Sequence, residues 1–97
     1  DVIASVIATL YRLRRKKTIR VLYERMEKAI PRAKTERDRW RFRSAQAVCM
    51  ERLGSFDNAV ALYDDALAQA MGSASPEAAI IAKMRAECLC RSRKGRG

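Results

Sequence analysis

Histidine is missing from this chain, and with it the commonest general base and the commonest protein ligand of zinc. The three cysteines do not make good the loss. Their number is odd, and Cys88 and Cys90 are spaced as CLC rather than CxxC. Neither a disulfide framework nor a metal site is expected, and no His is present to activate a cysteine nucleophile. Buried thiols in a reducing, intracellular compartment (cytoplasmic or nuclear) are the expected reading. Proline, at two, and glycine, at four, are scarce, so few points break regular structure. No glycine-rich loop of the phosphate-cradling kind occurs. No apolar run approaches the roughly 20 residues of a membrane span. The opening DVIASVIATLY is short and precedes its basic run, the reverse of a secretory signal. The chain starts at Asp1 rather than Met, which suggests a fragment or a processed form.

What remains is rich in Ala, Leu, Arg, Lys, Glu and Met, the strong helix formers. Val, Ile and Thr are too scattered for several strands. Apolar residues make up 48% of the 97, enough for one domain with a modest core. The expectation is a single all-α domain over residues 1–94, with a basic flexible tail at 95–97.

Apolar residues at steps of three and four define five helices, near 2–13, 18–30, 36–53, 56–71 and 76–93. Thr18, Thr35, Ser55 and Ser75 are the expected N-caps, the last followed by Pro76 in the first turn. Pro31 should end the second helix and Gly54 the third. The fourth should bury Phe56, Ala59, Val60, Tyr63, Ala66, Leu67 and Ala70. The fifth should turn Ile80, Ile81, Met84, Cys88 and Leu89 inward.

The helices repeat. SAQAVCMERLG at 44–54 aligns with RAECLCRSRKG at 85–95, an offset of 41, and LYERMEKAI aligns with LYDDALAQA at an offset of 40. Such a period belongs to helical arrays. Ala47, Gly54, Phe56, Ala59, Tyr63 and Ala66 carry a resemblance to the tetratricopeptide repeat (TPR) family. In that family's pattern a small residue lies seven before a turn glycine, with an aromatic, an alanine, a second aromatic and an alanine after it. The resemblance is closest over residues 37–71 and covers half a repeat at 76–95. It implies antiparallel helical hairpins stacked as a short right-handed superhelix of about 2.5 repeats. Arg43 and Gln46 stand where the family usually has bulky apolar residues.

The charge of +10 is uneven. Residues 1–54 hold 15 Lys/Arg against 6 Asp/Glu, residues 55–80 hold four acids and no base, and residues 81–97 are basic again. In the resembled family the first helix of each repeat lines an inner groove. That implies a partner-binding surface of Arg41, Ser44 and Val48, with Arg85 and Leu89 from the next repeat and Arg12 from the one before. The family's clamp for a C-terminal carboxylate is not matched at Ser44, Ala45 and Val48. RDRWRFR at 37–43 alternates basic and aromatic residues. On a helix, however, Trp40 and Phe42 lie about 200° apart and form no joint stacking platform. The arginine stems are expected to cover apolar surface instead. Asp64 and Asp65 diverge in the same way and fit a solvated face.

The expectation is therefore a non-enzymatic protein–protein interaction module or scaffold, needing no cofactor and no membrane. It would hold an acidic peptide or helix of a partner protein in a basic groove, with self-association through open repeat ends. The alternative is RNA association or a localisation signal, through Arg14, Arg15, Lys16 and Lys17 and through Arg91, Arg93 and Lys94 near the C-terminal end.

Overall fold

The computed structural model describes residues 16–96. The expected helix at 2–13, with Arg12, Arg14 and Arg15, lies outside the described residues. Within them the chain is all-helical and contains no strand. In order come α1 (Lys16–Ala29), a 3-10 turn (Ile30–Arg32), α2 (Glu36–Arg52), α3 (Phe56–Gly72) and α4 (Glu77–Arg96). Among the described residues no helix is long and apolar enough to cross a membrane.

The ends of these helices follow local chemistry. Pro31 has no N–H to continue α1, so the chain tightens into the 3-10 turn around it. Thr35 caps α2 as expected, its Oγ1 accepting from the Asp38 N–H at 3.1 Å. Ser75 Oγ accepts from the Glu77 N–H at 3.2 Å. Two expected caps are corrected. Thr18 lies inside α1, which is already helical at Lys16. Ser55 makes no side-chain cap; its backbone N–H instead closes the preceding turn, donating to Met50 O at 2.8 Å. In that turn Gly54 adopts φ +83° and donates to Glu51 O, which completes a Schellman arrangement.

The same arrangement ends α3, but an alanine occupies the left-handed position. Ala74 has φ +52° and donates to Met71 O, while the Ser75 N–H reaches Ala70 O. Gly72, placed by the sequence in the loop, is the last residue of the helix. A Cβ in the left-handed region costs about 1–2 kcal/mol. Ala74→Gly is therefore expected to raise stability by about 1 kcal/mol, read as a higher urea midpoint. A midpoint that falls would contradict the turn.

Each helix packs on the next in sequence, α2 against α3 most extensively. α3 contributes Ala59, Tyr63, Ala66 and Ala70, all fully buried at helical spacing. Phe56, Val60 and Leu67 are half-buried beside them. α2 is different, since every residue from Ser44 to Cys49 is buried, so its middle is enclosed on all sides. On α4, Ile81 and Cys88 turn inward as expected, whereas Ile80 is exposed. Ile81 is buried, Met84 and Leu89 are half-buried, and the exposed large apolar side chains nearby are Met71 and Ile80. α4 also runs beyond the expected end at Arg93, through Lys94 and Gly95 to Arg96.

Candidate functional site

Both described arginines of the sequence-predicted groove are ion-paired within the chain. Arg37, Trp40 and Arg41 share one face of α2, and all three converge on Glu77 in the first turn of α4. Arg37 Nε and Nη2 donate to Glu77 Oε1 at 3.0 and 2.8 Å. Arg41 Nη2 reaches the same oxygen at 2.7 Å. Trp40 Nε1 donates to Oε2 at 2.9 Å, and Arg41 Nε approaches Oε2 at 3.3 Å. The bond from Arg41, aided by Trp40 and Arg37, holds the Glu77 carboxyl at about 2 against the cost of its burial. The Arg41 guanidinium is raised in turn, chiefly by the same bond. The alternation in RDRWRFR is thereby accounted for: Arg37, Trp40 and Arg41 clamp a carboxylate, while Phe42 points elsewhere.

The other expected groove residues are placed as follows. Arg85 pairs with Asp64 of α3. Ser44 is buried and its Oγ donates to Trp40 O at 2.9 Å. Val48 is fully buried, and Leu89 is half-buried. The structure does not bring these residues together as an open basic trough. Burial removes Ser44 and Val48, and in-chain carboxylates partner Arg41 and Arg85. Among the alternative contacts, Lys16 and Lys17 are exposed on the first turn of α1, and Arg93 is exposed on α4. Arg91 Nη1 bonds Glu51 Oε2 at 3.1 Å, which ties α4 to the end of α2.

The departures from the repeat pattern form a second polar cluster. Gln46, fully buried, donates through Nε2 to Glu27 Oε2 at 2.6 Å and to Tyr23 O at 3.3 Å. Its Oε1 accepts from Arg43 Nη1 at 3.1 Å. Arg43 also contacts Glu27 at 3.2 Å and Asp65 at 3.4 Å. This strap joins α1, α2 and α3. The buried amide is satisfied where an apolar side chain would otherwise pack. Sequence reasoning missed Glu27, Gln46 and Glu77 as polar anchors. The available signal was an acid in the first turn of α4 and the one-face spacing of Arg37, Trp40 and Arg41.

The free positive charge lies elsewhere. Arg25 and Lys28 of α1, Arg32 of the 3-10 turn, Lys34, and Asp38 and Phe42 of α2 surround an open hollow of about 390 Å³. The four cations are exposed, and none forms an ion pair with a described residue. Arg25, Lys28 and Arg32 follow one another at three- and four-residue steps, so they gather on one side of the chain. Such a cluster attracts anions and speeds their encounter.

Two of the thiols are unreactive by environment. Burial pushes Cys49 and Cys88 up to about 12, and for Cys88 the neighbouring Glu51 carboxylate adds to the effect. Cys90 is exposed. Among the described residues no group of three or more His, Cys, Asp or Glu is placed to hold a metal ion. In comparison with known proteins, no family model, no curated protein and no solved structure matches this chain.

Proposed function

We propose that this chain is a non-enzymatic interaction module of the tetratricopeptide-like kind, holding an acidic segment of a partner protein. The observation that carries the reading is the hollow of Arg25, Lys28, Arg32 and Lys34, whose charges are not spent inside the described fold. The contact surface therefore moves from Arg41 and Arg85 to the junction of α1, the 3-10 turn and α2. Support for the repeat architecture comes from the packing of each helix on its sequence neighbour. Further support comes from the motif positions: Ala47, Ala59, Tyr63 and Ala66 are fully buried, and Gly54 makes the left-handed turn between α2 and α3.

The test is binding of a labelled poly-glutamate peptide, followed by fluorescence anisotropy at two salt concentrations. Reversing two cations, Arg25→Glu with Arg32→Glu, removes two attractions and adds two repulsions. Each exposed contact is worth about 0.2–1 kcal/mol. The pair is expected to weaken binding by about tenfold or more, mainly by slowing association, with a smaller effect at high salt. Lys83→Glu, on the exposed side of α4, should leave binding unchanged. Equal loss from Lys83→Glu would show that net charge, not the hollow, governs association.

A second reading, RNA association, is favoured by one observation. Lys16, Lys17 and Arg20 are also exposed on α1, so the positive surface extends beyond the hollow. RNA binding would fall steeply with salt and would tolerate changes of sequence.

A further inference from the structure

The hollow carries more charge than one carboxylate calls for. The protein supplies its own comparison at Glu77, where a single carboxylate is satisfied by two arginines and one indole. The hollow presents four cations and one acid, Asp38, a net charge of +3 around one opening. A carboxylate entering it would leave most of that charge unanswered. A phosphate monoester brings about −1.5 to −2 at neutral pH and three acceptor oxygens. Arg25 and Arg32 offer planar forks that match pairs of phosphate oxygens, and Lys28 and Lys34 act as point charges beside them. Pro31 fixes the backbone of the 3-10 turn, so Lys28 and Arg32 project from helical elements rather than from a loose segment.

The rest of the lining indicates what carries the phosphate. Phe42 is half-buried at the hollow and gives an apolar surface for a flanking side chain. Among the described residues that line the hollow it has no aromatic companion on which a second base could stack, and Trp40 is buried and bonded to Glu77. Single-stranded nucleic acid is held by successive stacking surfaces along a basic track. One aromatic beside one compact cluster of cations suits a peptide better.

We propose that the hollow seats a phosphorylated side chain of the partner protein, through Arg25, Lys28, Arg32 and Lys34. The inference rests on the reading that an acidic protein segment is the ligand, and it names the group that anchors that segment.

The experiment compares three labelled probes on the 97-residue chain: an alanine–glycine peptide with one central phosphoserine, the same peptide with glutamate there, and an oligouridylate. Inorganic phosphate serves as competitor. At about pH 7.5 the phosphopeptide should bind about tenfold tighter than the glutamate peptide. Near pH 5 the phosphate is a monoanion, and the preference should shrink toward parity. Among the described residues the charged groups lining it are Arg25, Lys28, Arg32, Lys34 and Asp38, and the chain has no histidine to titrate in that interval. Arg25→Gln with Arg32→Gln should lower phosphopeptide affinity about tenfold. Lys28→Gln with Lys34→Gln is the second variant, and circular dichroism checks that each remains helical. Equal binding of phosphoserine and glutamate peptides overturns the phosphate inference and leaves the acidic-segment reading standing. Binding of the oligouridylate alone overturns both. A phosphopeptide held no more tightly than inorganic phosphate shows a free-anion site and overturns the docking of a protein segment.

Discussion

Ala59→Arg is expected to destabilise the fold by several kcal/mol, enough to leave much of the chain unfolded at room temperature. Ala59 has no exposed surface and sits one turn before Tyr63 on the face of α3 that carries Ala66 and Ala70. The small side chain lets the helices approach. An arginine there must push them apart, at about 1–3 kcal/mol, and must also bury a charge with no partner, which adds about 3–5 kcal/mol. Domains of this size have roughly 5–15 kcal/mol of stability to lose. The measurement is urea unfolding followed by the emission of Trp40, the single tryptophan, which is buried in the native chain. Ala61→Arg, two residues along and exposed, is the control and should stay within about 0.5 kcal/mol of the parent. If both variants keep the parent midpoint, the packing of α3 on α2 is wrong.

The reason this prediction could be approached from sequence lies in α3 itself. Ala59, Tyr63, Ala66 and Ala70 recur at helical spacing, and Asp57, Asp64 and Asp65 fall on the other side, so the buried face is legible residue by residue. Thr35 and Gly54 were legible for the same local reason: cap chemistry depends on a few neighbouring residues. α2 resisted the same treatment. Its middle is enclosed on every side, so Ser44 and Gln46 are buried with the apolar residues and no single stripe marks the core. The in-chain partners of Arg41 and Arg85 were not legible because they are set by residues far along the chain. Glu77 lies 36 positions from Arg41, and Asp64 lies 21 from Arg85. Periodicity places each arginine on the right helix but says nothing of the carboxylate that folding brings to it. The hollow was hidden more completely. Arg25 and Lys28, Arg32, and Phe42 come from three successive elements, and in the sequence they register only as a basic first half.

Glu77 should make stability fall at low pH in a way that one substitution removes. Its carboxyl is held at about 2, against an ordinary 4.5, foremost by the bond from Arg41 and also by Trp40 and Arg37. Because the folded value is the lower one, the ionised form favours folding. The contribution is fully present above about pH 4.5 and is lost as pH falls through about 2. At 1.36 kcal/mol per unit, and reduced because the side chain remains a fifth exposed, the shift corresponds to about 2–3 kcal/mol. Glu77→Gln keeps an acceptor for Trp40 but discards the charge that Arg37 and Arg41 meet. At neutral pH it should unfold about 2–3 kcal/mol more easily than the parent. As the pH drops the two proteins should converge, since protonation does to the parent what the substitution has already done. The difference in urea midpoint, measured from neutral pH down to about pH 2, isolates this group from the other carboxylates, which are common to both chains. Parallel curves with a constant gap would mean that the stability lost at Glu77 is packing rather than charge. Coincident curves throughout would mean that the three donors from α2 do not hold the start of α4.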